Sequence, residues 1–319
     1  MGFTSAMTTT IPLPYTCKEI APVETDLTLD DCVFRTYTWN ASKDNWKGRV
    51  IYIHGYRDRH EFIYELAEKV AKTGFDFFYF YQRGEGETRL VNDEKGVSDD
   101  YYAYKGIDDI IEYNVGHLKK KNLPPKLHLM GHSMGGGLTL NYACHGKYKT
   151  EIKSFSATDP LILLHKDTYP GIFVELVVRA ICSFKFGRYK RVKSPLRAEF
   201  MTADPVYLEY LNSITNPEGL DGASVETRDF ILRGRKLLSP EIYTQIDRNV
   251  PLLICQGEDD HICDLFGSKK FIDSLNSLPD MKNKALITYP EGKHCITMDI
   301  PAVRNKAIED LVHFVEKNA

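Results

Sequence analysis

The chain has 319 residues, 43% hydrophobic and 27% charged, with a net charge of −3 and an isoelectric point near 6.4. This composition suits a soluble globular protein with a full core, and it argues against nucleic-acid binding, which favours a basic excess and a recognisable reading motif. No apolar run reaches the ~18 residues of a spanning helix, and Met1 to Tyr15 lacks the basic-then-apolar order of a secretory signal, so the expected compartment is the cytosol.

Taken in chain order, apolar runs typical of buried strands fall at 33–39, 49–53, 75–81, 126–130, 152–157, 251–255 and 285–289. Helical periodicity predicts helices at 61–73, 102–120, 134–143, 266–278 and 301–316. Strands alternating with helices predict an α/β fold, a mostly parallel sheet covered on both faces. Residues 161–248 break the alternation and read as a helical cap inserted between the two parts of the core, 1–160 and 249–319. Within the cap, 172–186 is apolar around most of a helix, with Glu175, Arg179 and Ser183 on a narrow polar stripe. Such a helix hides most of its surface or touches lipid. The basic residues Lys185, Arg188, Lys190, Arg191, Lys193 and Arg197 accompany it, either as a solvated surface or as a patch for anionic headgroups. The seven cysteines are scattered, form no CxxC pair and read as free thiols in a reducing compartment.

Gly131-His132-Ser133-Met134-Gly135 follows the strand at 126–130 and opens a helix. A serine at the centre of G-x-S-x-G sits on a sharp strand-to-helix turn that lifts its hydroxyl clear of the sheet, and the flanking glycines leave room that a Cβ would fill. Ser133 is therefore the candidate nucleophile. The Met134 N–H, at the start of the helix, is a ready donor to a developing oxyanion.

A serine hydroxyl needs a base, and the base an orienting carboxylate. Of the ten histidines, His145 and His313 fall on helices and only His294 lies in the loop after the final strand, making it the candidate base. The acid comes from the loop after the strand at 251–255, where Glu258, Asp259, Asp260 and Asp264 are alternatives and Asp260 leads. The loop His54-Gly55-Tyr56, after an early strand, offers the Tyr56 N–H as second oxyanion donor. His54, Asp58, His60 and His261 match no hydrolase metal motif, so neither a catalytic metal nor a cofactor is expected.

The same residues resemble a family, the monoglyceride lipases of the α/β-hydrolase fold, and their fungal branch most closely. The likeness runs from His54-Gly55 through Gln82-Arg83-Gly84, Gly131 to Gly137, Asp159-Pro160-Leu161-Ile162 and Gly257 to Asp264, to His294. It implies a Ser133–Asp260–His294 triad, an oxyanion hole at Tyr56 and Met134, an acyl tunnel under the cap, and Cys263 and Cys295 beside the acid and base. It further implies a serine hydrolase that cleaves long-chain monoacylglycerols through an acyl-enzyme, with peripheral contact to membranes or lipid droplets. A broader carboxylesterase, a lysophospholipase or an alcohol acyltransferase would use the same triad, and a non-catalytic ligand receptor would commonly lose one member of it. Two departures stand out: Arg57-Asp58-Arg59-His60 where many relatives have Gly-Glu-His, and Tyr81 where many have Asp.

Overall fold

A computed structural model of the chain describes residues 11–184, 186–192, 196–214 and 222–319. Lys185 and Lys193 of the basic cluster lie outside the described residues. The central sheet contains β1 (Val23–Leu29), β2 (Cys32–Trp39), β3 (Gly48–Ile53), β4 (Phe75–Phe80), β5 (Arg89–Leu90), β6 (Leu127–His132) and β7 (Ile152–Thr158). After the short pair β8 (Arg191–Val192) and β9 (Gly222–Ala223), β10 (Leu252–Gly257) and β11 (Lys284–Tyr289) complete it. The strand order is β1-β2-β4-β3-β6-β7-β10-β11, with β5 beside β2. From β4 to β11 every pairing is parallel, while β1 and β2 run antiparallel at one edge.

Every residue of β3, β4, β6 and β10 is buried, as a parallel sheet with two covered faces requires. The strand period of two sorts the side chains between the faces. Ile51, Ile53, Leu127 and Leu129 pack with α2 (Asp100–Lys120), α3 (Ser133–His145) and α9 (Leu265–Asn276). Val50, Tyr52, Phe77 and Tyr79 pack with α1 (Tyr64–Lys72) and α10 (Pro301–Lys317). Each fully buried aliphatic side chain contributes about 1.5–3 kcal/mol.

Strand β1 is absent from the sequence reading. Its pattern, VETDLTL, is polar and largely exposed because it is an edge strand with one neighbour, so burial leaves little mark on its composition. The turn into β2 is tight, with Asp30 at φ 51°. The first predicted helix divides into a 3₁₀ turn, His60–Ile63, and α1.

Between β7 and β10 the chain carries α4 (Ile172–Cys182), α5 (Ala198–Met201), α6 (Pro205–Ile214), α7 (Ser224–Lys236) and α8 (Pro240–Tyr243). Helix α4 ends four residues before the predicted boundary at 186, and it is inside out. Its two buried residues are Glu175 and Cys182, while Ile172, Phe173, Val174, Leu176 and Val177 are exposed, Phe173 at 77%. Burial would raise the Glu175 carboxyl, but Arg235 at 2.7 Å, Tyr169 at 2.9 Å and Arg179 at 2.6 Å hold it below the usual carboxylate range. Among the described residues no helix is long and apolar enough to cross a membrane.

Candidate active site

Strand β6 ends at His132, and Ser133, the first residue of α3, takes φ 52°. That left-handed conformation is costly for a non-glycine residue and persists because the surrounding packing leaves no alternative. A Cβ on Gly135 would stand 2.1 Å from the carbonyl oxygen of Ile53, so the turn lies directly on the end of β3. A Cβ on Gly131 would meet Thr139 Oγ1 and the Gly135 carbonyl, each at 2.4 Å.

His294 Nε2 lies 2.9 Å from Ser133 Oγ, and His294 Nδ1 lies 3.1 and 3.0 Å from the two oxygens of Asp260. All three side chains are buried. The Asp260 carboxylate also accepts the N–H groups of Ile262 at 2.8 Å and Cys263 at 2.9 Å, which fix its orientation. The other loop carboxylates are engaged elsewhere: Glu258 with Thr288, Asp259 with His261, and Asp264 as the N-cap of α9. A hydroxyl, an imidazole and a carboxylate in one line can pass a proton from the hydroxyl to the imidazole while the carboxylate stabilises the imidazolium.

Tyr56 and Met134 both border the cavity that reaches Ser133. The loop before Tyr56 is held on both sides. His54 donates from Nδ1 to the Gly55 carbonyl at 2.6 Å and accepts the Gln82 N–H at Nε2, 2.9 Å away. Burial lowers this imidazole to about 4, which keeps it neutral. Asp58 accepts the Gly55 N–H at 2.8 Å, and its own burial raises it to about 6 against the opposing pull of that N–H and of His294. Asp58, a departure residue, thus braces the loop that carries Tyr56.

Two further carboxylates hold the site and were not read from the sequence as site residues. Asp159 accepts the N–H groups of Gly257 at 2.9 Å and Ile296 at 3.4 Å, joining the segment that leads to Asp260 to the one that follows His294. Burial, reinforced by the neighbouring Asp260 charge, pushes its carboxyl well up. Asp299 accepts from Lys293 N–H at 2.6 Å and Ala203 N–H at 2.7 Å. The available signals were slight: Asp159 directly follows β7 and opens one of the motifs shared with the family, and Asp299 lies five residues after His294. Cys263 lies in the acid loop, and Cys295 Sγ is 3.6 Å from His132 Nε2; both are buried, and burial pushes both thiols well up.

The cavity of about 170 Å³ beside Ser133 is walled by Leu161, Leu164, Val174, Val178, Phe230 and Ile231 among others, so α4 forms part of its roof. Tyr56 also borders a second recess, about 420 Å³, together with Arg57, Asp58, Arg59 and Glu85 among others. Arg57 pairs there with Glu85 at 2.9 Å and Glu226 at 3.5 Å. Burial raises the Glu85 carboxyl to about 7, with Arg57 opposing.

A mostly parallel sheet flanked by helices, with a serine on the strand-to-helix turn facing a histidine and an aspartate from later loops, defines an α/β-hydrolase. Residues 44–301 match the Hydrolase_4 family, described as serine aminopeptidase, S33. The monoglyceride lipase of Saccharomyces cerevisiae (strain ATCC 204508 / S288c) is 31% identical over 313 residues, covering 96% of this chain and 97% of that one. A crystal structure of a soluble variant of that yeast lipase, in complex with a substrate analog, aligns with a TM-score of 0.85 at 30% identity, covering 97% and 99% of the two chains. The monoacylglycerol lipase of Paleococcus ferrophilus shares the fold, with a TM-score of 0.74 at 18% identity over 90% of this chain and 99% of that one. The chain belongs to the monoglyceride lipase family.

Proposed function

We propose that this protein hydrolyses the ester of long-chain monoacylglycerols to fatty acid and glycerol. The observation that carries this reading is the hydrogen-bonded line from Ser133 through His294 to Asp260 beside an apolar cavity that Ser133 and Tyr56 border, with a second recess, also bordered by Tyr56, that carries the charged side chains Arg57, Asp58, Arg59 and Glu85. An acyl chain suits the first and a glycerol headgroup the second.

In this mechanism Ser133 Oγ attacks the ester carbonyl carbon as its proton passes to His294 Nε2. Asp260 holds the resulting imidazolium, and the Tyr56 and Met134 N–H groups receive the oxyanion. Collapse of the tetrahedral intermediate breaks the bond to glycerol, whose departing oxygen takes the proton from His294. Water then gives its proton to His294 and attacks the acyl-enzyme, and the fatty acid leaves as Ser133 regains a proton. No cofactor enters these steps.

Residues 161–248 act as a cap over the acyl cavity, and the outward face of α4 rests on a lipid surface. The support is the exposed row Ile172, Phe173, Leu176 and Val177, together with the exposed Lys190 that follows in sequence, above a roof formed by Val174 and Val178 of the same helix. Apolar insertion plus attraction of cations to anionic headgroups gives weak, reversible, salt-sensitive binding. Arg188 contributes less to such a patch because it pairs with Asp99 at 2.8 Å.

The test of the activity is a substrate panel of 1- and 2-monoacylglycerols, diacylglycerols, lysophospholipids and short esters, with and without added alcohol. The expected result is preferred release of fatty acid from monoacylglycerols. A preference for lysophospholipids, or acyl transfer to the alcohol as the main reaction, would overturn it.

A further inference from the structure

Away from Ser133, a second group of ligating side chains gathers where the acid loop meets the segment leading from β7 to α4. His165 and Asp167 belong to that segment, and His261 directly follows Asp260. His261 Nδ1 is 2.6 Å from Asp167 Oδ2, and His165 Nδ1 is 3.5 Å from the same oxygen. One ligand atom from each of the three residues lies within 4.8 Å of the other two.

Two imidazoles and one carboxylate make a donor set that suits borderline divalent cations, zinc above all, and three protein ligands leave a position for water. The outer nitrogen of His261 strengthens the case. Its Nε2 is 3.0 Å from Asp259 Oδ1, so Asp259 can hold the ring by Nε2–H and leave Nδ1, beside Asp167 Oδ2, as the ligand atom; His165 Nδ1 accepts the Asp167 N–H at 3.3 Å, a contact that ligation through that atom would replace. A carboxylate behind a metal-bound imidazole is the usual means of orienting it.

The backbone brings the two segments together before any ion arrives. His165 N–H donates to the Ile262 carbonyl at 2.9 Å, Asp264 N–H to the Leu163 carbonyl at 2.8 Å, and Thr168 Oγ1 to the Ile262 carbonyl at 2.9 Å. The side chains of His165, Asp167 and His261 are 20%, 37% and 35% exposed, so an ion can enter from solvent. Accommodating it requires Asp167 and His261 to part from hydrogen-bond distance to the roughly 3.3 Å that separates two ligands on a tetrahedral zinc with bonds of about 2.0 Å.

We propose that His165, Asp167 and His261 form a zinc-type divalent-cation site, with Asp259 as the outer carboxylate, that clamps the acid loop to the segment entering α4. The ion is held by side chains outside the Ser133–His294–Asp260 line and takes no part in ester cleavage. Without it, the same distances are met by an imidazolium held between two carboxylates, and that is the competing account.

The experiment is titration of zinc chloride into the chelator-stripped full chain, followed by calorimetry and thermal melting. One saturable site is expected, with a melting temperature higher by a few degrees in excess zinc. Asp259→Asn should weaken binding by about 10–100-fold, and the double substitution His165→Ala with Asp167→Ala should abolish it. His294→Ala should leave it intact. The imidazole resonances of the unaltered protein provide a check that needs no variant: His165 and His261 should shift on zinc addition and His294 should not. Absence of saturable binding up to about 100 µM, above the affinity range expected of such a site, overturns the proposal in favour of the imidazolium. So does binding that survives the double substitution, or binding lost in His294→Ala with shifts at His294, because Asp260, Cys263 and His294 would then be the ligands.

Discussion

Asp299 accepts the backbone N–H of Lys293 at 2.6 Å, which secures the residue immediately before His294. The same carboxylate accepts the Ala203 N–H, and the carbonyls of Phe200 and Met201 accept the N–H groups of His294 and Cys295. The loop of His294 is therefore stitched to the segment around α5, so displacement of that segment moves the imidazole. Misplacing a catalytic group by 1 Å can cost about 10²-fold. Asp299→Ala should lower kcat by about that factor on a soluble ester with KM little changed, and Asp299→Asn should recover part of it. A loss confined to folding yield, with normal kcat in the folded fraction, would refute this positioning role.

Ser133, His294 and Asp260 should act as a unit. Ser133→Ala and His294→Ala should each reduce turnover by on the order of 10⁶, and Asp260→Asn by about 10⁴ through the wrong imidazole tautomer. A fluorophosphonate should label Ser133. Greater damage from Asp259→Asn or Asp264→Asn than from Asp260→Asn would move the acid elsewhere.

The buried Asp58 gives stability a pH dependence of defined sign. Its folded value of about 6 exceeds the usual 3.8, so the native state takes up a proton first as pH falls, and this group adds stability between pH 7 and 5. Integration over that window gives about 1.3 kcal/mol. The stability of the parent relative to Asp58→Asn should rise by about that amount from pH 7 to pH 5 in urea titrations. A constant difference across the window would show that the carboxyl is not shifted.

The exposed face of α4 should matter for lipid but not for chemistry. Phe173→Ser with Val177→Ser and Lys190→Glu should reduce sedimentation with anionic vesicles and activity on membrane-held monoacylglycerol, while hydrolysis of a soluble short-chain ester stays near the parent's. Equal losses on both substrates would place the helix in the core of the cap instead.

Sequence alone determined the sheet interior and the turn at Ser133, because both depend on short-range physics. Strands buried on two faces need continuous apolar runs, and a serine at positive φ needs small neighbours at Gly131 and Gly135. Chain order also singled out His294, since of the two histidines after the last strand it alone lies in the loop, His313 being on the final helix. The tertiary structure decided what depends on the direction in which side chains point. Glu258, Asp259, Asp260 and Asp264 are near-equivalent as letters, yet backbone N–H groups and the register of β10 against β11 turn Asp260 alone among them toward His294. The amphipathic pattern of α4 likewise leaves its orientation open: Arg235 and Tyr169 draw Glu175 inward, and that places Phe173 in solvent. The bracing roles of Asp159 and Asp299 were illegible for the same reason, because a carboxylate that holds backbone N–H groups from another segment is recognisable only after the chain has brought those groups to it.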